Sequence, residues 1–580
     1  MTLSTDAITV AIDAITVDDA ANRSARETAR QRVSWPVNLT PASVTYASAG
    51  HALLLGDEIS VRQAATRLLE SGLAAMALLI TEPSADDAGL DEEQLEMLLA
   101  STRQLPCRTL TPTQRSQLRI EGYLGQFSIG LHGPDAPLDL ALPLLGRRHA
   151  DLILDLGRSP VLELELLPPG YRHLSLQDSA CDVELSEFAE LVGEFDKPRY
   201  FQINADLCAH SASGNVGCTR CLEVCPADAI SSHKGRIESR IEIDPYLCQG
   251  VGSCSSACPT GAIQFRLPEP ARQQEALIGW LDAYRQAGGT APVMRFVEAA
   301  DLEGEADAPA GHLLDVPLEE LGSAGHDQWL TALAAGAAEV RIQVHADLPA
   351  TLSAFIDDQI AQARVMLEAL GHDPGRVRRI QHGDSAARDA LPERLPLGEE
   401  PLVLSGDGKR ERFEAVLARL TALGESSGRR HPMPAGSAYG GLAVNRDACT
   451  LCFACVSNCP TPALATGDQT PLLSYREADC VQCGLCVEAC PEDAIRLLPG
   501  FLADPSRTER QVRHEEAPFR CIRCDKPFAS AATIATIKAK LADHPYFAGE
   551  AATRLEMCED CRVRDVWQEM ARDPESQLKV

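Results

Sequence analysis

Two stretches, "CTLCFACVSNCP" (449–460) and "CVQCGLCVEACP" (480–491), repeat one spacing without a gap: C-x2-C-x2-C-x3-C-P. Three thiols this close must curl around a common centre, and a proline after the fourth turns the chain away from it. The same grammar recurs in "CAHSASGNVGCTRCLEVCP" (208–226) and "CQGVGSCSSACP" (248–259). Each of the four runs ends in a near-copy of one hexapeptide: "CPADAI", "CPTGAI", "CPTPAL" and "CPEDAI". Four copies in two spaced pairs indicate one two-site unit used twice.

Of the 21 cysteines, 19 fall into three groups, the third being "CIRC" and "CEDC" at 521–524 and 558–561. Cys107 and Cys181 stand alone and read as small buried residues. Disulfide frameworks suit small secreted chains, and this one has 580 residues. Its start carries neither a basic nor an apolar leader segment, and no apolar run approaches the roughly 18 residues of a spanning helix. A reducing cytoplasm is therefore expected, where clustered cysteines bind metal. The net charge of −30 argues against nucleic acid or anionic membrane as partner and suits a protein that meets basic patches on other proteins.

The C-x2-C-x2-C-x3-C-P spacing wraps three thiolates around three corners of an iron–sulfur cube, and the fourth cysteine serves the other cluster. Crossing assigns Cys449, Cys452, Cys455 and Cys490 to one [4Fe–4S] cluster and Cys459, Cys480, Cys483 and Cys486 to another. Residues 441–500 thus resemble a bacterial-type two-[4Fe–4S] ferredoxin at all eight cysteines. The resemblance implies a βαββαβ module and one-electron transfer.

The first group departs twice. Nine residues separate Cys208 from Cys218, and the "SASGNVG" within them reads as an inserted loop. Cys208, Cys218, Cys221 and Cys258 still form a full [4Fe–4S] set. Cys225, Cys248 and Cys254 lack a fourth partner, because Val251 occupies that corner. A [3Fe–4S] cluster, a [4Fe–4S] cluster with water, hydroxide or a remote ligand, and a lost or labile cluster are the alternatives. Resemblance to seven-iron ferredoxins favours the first. His210 offers a remote ligand, although a loop histidine is ordinarily solvated.

Cys521, Cys524, Cys558 and Cys561 resemble two zinc-ribbon knuckles, with 33 residues between the pairs and a helix expected over 529–541. Structural Zn2+ is the first reading; a fifth iron–sulfur cluster and redox thiols are the others.

Strand and helix signals alternate elsewhere. In 40–195, "HALLLG" and "AAMALLIT" read as strands around the helix "SVRQAATRLLESG". The β-rich runs "GQFSIGLHG", "ADLILDLG" and "VLELELL" then suggest a meander. In 271–435, "APVMRFVEA" and "AEVRIQVHA" alternate with two helices, as in a doubly wound parallel sheet. This segment is similar to the α/β domain of heterodisulfide-reductase-associated electron-transfer subunits, without that domain's cysteines. "GSAYGGLA" (436–443) reads as a linker turn. No dinucleotide or phosphate fingerprint occurs, which leaves flavin binding open.

The expected organisation is a multidomain α/β plus α+β chain. An α/β domain (1–195) precedes the first dicluster module (196–270). An α/β spacer (271–435), a second module (436–500) and a zinc-ribbon-like four-cysteine segment (501–580) follow. This order resembles 4Fe–4S proteins found with bacterial molybdenum formate dehydrogenases. The leading expectation is an electron carrier for a redox partner such as a dehydrogenase complex, not itself catalytic. The alternatives are an accessory or assembly role for a larger oxidoreductase, and an enzyme with chemistry at the open iron.

Overall fold

The computed structural model describes residues 18–37, 42–83, 90–134, 136–210, 216–235, 239–266, 268–304, 308–467, 470–542, 544 and 549–572. Most of the inserted loop "SASGNVG" and the first 17 residues lie outside these.

The N-terminal part is built on a five-stranded, wholly parallel sheet. Its spatial order is Cys107–Thr109, Ala75–Glu82, His51–Asp57, Leu152–Leu156 and Tyr171–His173. The central strands are apolar on both faces because both are covered, as parallel sheets require. The expected strands "HALLLG", "AAMALLIT" and "ADLILDLG" all lie in this sheet. "GQFSIGLHG" instead enters a small antiparallel meander of Leu118–Glu121, Ser128–Leu131 and Leu138–Asp139.

"VLELELL" (161–167) does not form a strand. The Val161 N–H donates to the Asp155 carboxylate at 2.8 Å, and the Val161 and Leu162 N–H groups face the Tyr171 hydroxyl at 3.2 and 3.3 Å. Side chains thus take the ladder bonds that a strand would need, while Val161, Leu162 and Leu167 pack on the sheet core.

The spacer carries the parallel sheet its sequence implies. Leu313–Leu318, Val293–Glu298, Glu339–Val344 and Val377–Gln381 lie side by side in that order. The helices Pro270–Gln286, His326–Ala334, Ala350–Ala369 and Lys409–Leu423 cover it. One helix from the N-terminal segment joins this core. Asp19–Arg32 buries Ala25 and Ala29 against Leu277 and Trp280. Asn22 clasps the backbone of Thr290 from both sides, at 3.1 and 2.8 Å. Its apolar stripe is narrow, so the local sequence does not say which core it joins.

After each of these bodies the order strand, helix, strand, strand, helix, strand occurs once. In the first case Phe201–Ile203 pairs antiparallel with Ile263–Phe265, and Ile230–Lys234 with Ser239–Ile243. In the second, Gly440–Val444 pairs with Ile495–Pro499, and Leu464–Thr466 with Leu472–Tyr475. "GSAYGGLA" is therefore turn and irregular chain over 436–439 and strand over 440–443. Gly440 is dictated by packing: a Cβ there would sit 2.6 Å from the Leu498 carbonyl oxygen. The strand Gln511–Glu515 extends the second hairpin. Among the described residues no helix is long and apolar enough to cross a membrane.

Candidate iron–sulfur sites

Three of the four short turns that carry the cysteines share one backbone device; in the fourth, Thr219 has a φ of −115°. Within "CTLCFAC" the residues Leu451 and Phe453 have φ of 55° and 60°, and within "CVQCGLC" Gln482 and Gly484 have 52° and 84°. Left-handed residues alternating with right-handed ones swing successive amides inward, forming a concavity that favours anionic sulfur. For leucine, phenylalanine and glutamine this conformation costs roughly 1 kcal/mol or more each, so tertiary structure holds them there.

The Val251 run keeps the same device. Gly250 and Gly252 have φ of 87° and 82°, at the same offsets from the leading cysteine. The ligand is missing, yet the backbone cradle is intact. Val251 is partly buried against the spacer core.

The ends of the runs also agree. Asp228, Gly261 and Asp493, each three residues after its run's last cysteine, have positive φ. Pro462 holds that place in "CPTPAL", where its ring forbids it. The turn aims the next amide back at sulfur: Ala229 N–H donates to Cys225 Sγ at 3.4 Å, and Ala494 N–H to Cys490 Sγ at 3.2 Å.

The cysteines of the second unit converge in fours. Cys449, Cys452, Cys455 and Cys490 line one cavity, and Cys459, Cys480, Cys483 and Cys486 line a second. Burial pushes the Cys455 thiol up to about 12, and the sulfurs of Cys449, Cys452 and Cys490 add to this. Cys486 behaves alike, with Cys480, Cys483 and Cys459 beside it. In the first unit burial pushes Cys221 to about 12, with Cys258, Cys218 and Cys208 as its thiol neighbours. Burial likewise holds Cys254 well above the usual thiol range, and Cys248 and Cys225 are its strongest thiol neighbours. Packed thiols cannot all ionise together without a compensating cation. Iron supplies that compensation, so these donor sets fit iron–sulfur clusters.

The two units abut. The Cys483 thiol, raised to about 11 chiefly by burial, also feels Cys218 across the boundary. A Cβ on Gly217 would meet Leu485 Cδ1 at 3.1 Å. Arg220 spans the junction: its Nη1 donates to Cys218 Sγ at 3.3 Å, and its Nε and Nη2 to the Gly436 and Ser437 carbonyls at 2.6 and 3.0 Å.

Other cations play related parts that spacing alone does not reveal. Lys197 Nζ donates to the Cys248 carbonyl at 2.7 Å, Arg410 Nη2 to the Cys480 carbonyl at 2.7 Å, and Lys409 Nζ to the Ser255 and Ser256 carbonyls at 3.0 and 2.9 Å. Arg220 was visible in the sequence, lying between two cysteines. The other three come from outside the runs.

Two single-residue expectations are corrected. His210 is fully buried, not solvated. Its ring nitrogens face the Cys218 carbonyl at 3.0 Å and the Ser232 hydroxyl at 2.8 Å, so both are engaged away from the Val251 corner. Cys181 is buried, but Cys107 is exposed because its strand lies at the sheet edge.

Near the C-terminus, Cys521, Cys524, Cys558 and Cys561 bring one sulfur each within 4.8 Å of the others. The Cys524 and Cys558 sulfurs are 3.6 Å apart, and four sulfurs about 2.3 Å from one ion would be separated by roughly 3.8 Å. Cys521 and Cys524 sit in the turn of the hairpin Pro518–Arg520 and Pro527–Ser530. The second pair is not a knuckle: Cys558 precedes, and Cys561 lies in, the first turn of the helix Glu559–Arg572. The helix expected between the pairs is Ala531–Lys540. This segment leans on the 449–490 site: Ser530 Oγ donates to the Thr450 carbonyl at 3.2 Å, and Lys540 pairs with Glu492 at 2.9 Å.

No curated protein gives a significant match to this chain. Residues 216–262 match a 4Fe–4S dicluster domain family, and residues 448–495 match a second 4Fe–4S dicluster domain family. The first match begins after Cys208, the cysteine beyond the inserted loop. The chain therefore carries two 4Fe–4S dicluster domains of the ferredoxin type, set in a mixed α/β framework.

Proposed function

We propose that the protein is a cytoplasmic electron carrier whose two ferredoxin-type βαββαβ modules hold four clusters in a row. The observation that supports this reading is that the second dicluster domain has its eight cysteines lining two cavities in fours, while thiols of the first neighbour one another as a four and a three. Cys449, Cys452, Cys455 and Cys490 hold one [4Fe–4S] cluster, and Cys459, Cys480, Cys483 and Cys486 a second. Cys208, Cys218, Cys221 and Cys258 hold a third. Cys225, Cys248 and Cys254 hold a [3Fe–4S] cluster, or a [4Fe–4S] cluster with a non-protein ligand, at the Val251 corner. Each bound cluster supplies reversible one-electron chemistry.

The chain's own groups do the rest. Inward amides and the Arg220 guanidinium donate to sulfur and favour the reduced, more negative state, while burial opposes it. Cys218 acts electrostatically on Cys483 across the boundary, so the sequence of sites is Cys225/Cys248/Cys254, then Cys208/Cys218/Cys221/Cys258, then Cys459/Cys480/Cys483/Cys486, then Cys449/Cys452/Cys455/Cys490. Cys521, Cys524, Cys558 and Cys561 hold structural Zn2+ beside the last site. The net charge of −30 suits docking to a basic face of a dehydrogenase-type partner. An accessory role for a formate-dehydrogenase-like enzyme draws on the same negative charge.

Iron and acid-labile sulfide counts on anaerobically purified protein, with EPR of the oxidised and dithionite-reduced forms, test the reading. The expected result is about fifteen irons, an oxidised [3Fe–4S] signal and reduced [4Fe–4S] signals coupled to one another. Folded protein without acid-labile sulfide would overturn it.

A further inference from the structure

We propose that Asp301, His345 and His382 form a mononuclear site for a first-row divalent transition ion at the edge of the spacer sheet. The three residues are far apart in sequence, but topology brings them together. Asp301 lies three residues beyond the strand Val293–Glu298, and His345 and His382 directly follow Glu339–Val344 and Val377–Gln381. All three are therefore at the carboxyl ends of adjacent parallel strands. From Val293–Glu298 the chain moves outward to Leu313–Leu318 and then returns to the opposite side at Glu339–Val344. The order thus reverses between the strands that supply Asp301 and His345, and such reversals open the crevice where parallel sheets bind ligands.

The donor geometry fits one ion. His345 Nε2 lies 2.8 and 3.0 Å from the two Asp301 oxygens, and His382 Nδ1 lies 3.3 Å from Oδ2. One donor atom from each residue falls within 4.8 Å of the others. Ligands about 2.0–2.1 Å from a common ion stand roughly 3 Å apart. The imidazoles stack with centroids 4.1 Å apart, and the backbone N–H of His382 donates to the Val344 carbonyl at 2.8 Å, which fixes its position. Two histidines and one carboxylate leave coordination positions open.

A second observation concerns His382. Gln343 accepts from the buried Arg295 Nη1 at 3.0 Å, which orients the amide so that its NH2 faces His382 Nδ1 at 3.2 Å. That nitrogen then presents a lone pair, and the lone pair also faces an Asp301 oxygen. A cation shared by nitrogen and oxygen relieves this contact, and the Gln343 NH2 is left to bond a water or oxygen ligand on the ion. The turn Leu321–Ser323, beyond the neighbouring strand end, presses on the Gly252 loop. The ion site and the three-cysteine site thus share one side of the sheet.

The test uses Zn2+ with the full chain under anaerobic conditions, iron and sulfide being counted before and after. Equilibrium dialysis is expected to show one equivalent of Zn2+ beyond that held by the C-terminal four-cysteine segment. X-ray absorption should give that equivalent a nitrogen/oxygen shell at about 2.0–2.1 Å, not sulfur near 2.3 Å. His345→Ala and Asp301→Asn should each weaken it roughly tenfold or more with iron content unchanged. No additional equivalent in the wild-type chain, a sulfur-only shell, or undiminished binding by folded His345→Ala protein would overturn the proposal. The absorption measurement on wild-type protein decides the matter even where a variant fails to fold.

Discussion

The two dicluster domains solve the same problem with different surroundings. The second has eight cysteines in two complete runs, and its Gly484 has open space beyond the missing Cβ. The first has lost a ligand at Val251 and gained a loop. Its corresponding Gly252 is pressed against Ser323 of the spacer, where a Cβ would sit 2.7 Å from the serine Cβ. Yet the Cys248 run keeps the left-handed turns of both runs of the second domain. Cradle and ligand are thus separable: the backbone shape is held by neighbouring structure and survives when a thiol becomes an isopropyl group.

The largest effect that would sharpen this contrast is expected from Val251→Cys. An intact cradle should accept the restored thiolate, so iron should rise by about one per chain and the oxidised three-iron EPR signal should vanish. Unchanged iron in folded protein would show that the first domain's cradle differs from the second's.

Next come matched glycine substitutions. Gly252→Ala meets both the left-handed penalty and the Ser323 contact and should cost about 2–4 kcal/mol by chemical denaturation. Gly484→Ala meets only the backbone penalty, about 1 kcal/mol. Equal costs would break the claim that the spacer holds the Gly252 turn.

The third effect concerns protein stripped of metal. Thiols such as Cys221, Cys455 and Cys486 are raised in the folded state to about 12. Between about pH 9 and 12 the unfolded chain binds fewer protons than the folded one, so stability falls as pH rises through that window. Thermal melts of apo protein should show the decline, and Cys221→Ser and Cys455→Ser should each lessen it. A flat profile would deny that the thiols are packed as described.

The smallest is Arg220→Gln. Loss of the charge-assisted bond to Cys218 should lower one cluster's potential by an amount on the order of tens of millivolts in an EPR titration, leaving the Cys449/Cys452/Cys455/Cys490 site alone. Equal shifts at both would mean that the junction does not distinguish the domains.

Much of this arrangement is legible in the sequence because thiolate ligands must be cysteines and the turns between them tolerate few spacings. The spacer sheet is legible for a similar reason: "APVMRFVEA" and "AEVRIQVHA" are too apolar to be anything but covered strands. "VLELELL" misleads because alternation implies a ladder, and the ladder bonds are taken by Asp155 and Tyr171. His210 looks like a loop residue until the Cys218 carbonyl and Ser232 enclose it. Asp301, His345 and His382 carry no local signal, since only the order of strands makes them neighbours. The docking of Asp19–Arg32 on a helix some 250 residues away is equally invisible, because its partners Leu277 and Trp280 are fixed by topology.

The Cys218–Cys483 junction has a consequence for throughput. Carriers placed end to end behave as a series circuit, in which the slowest hop limits the current and a single break silences the line. In the proposed relay Arg220 grips both banks of that crossing, so its side chain helps to fasten the bridge between the two halves.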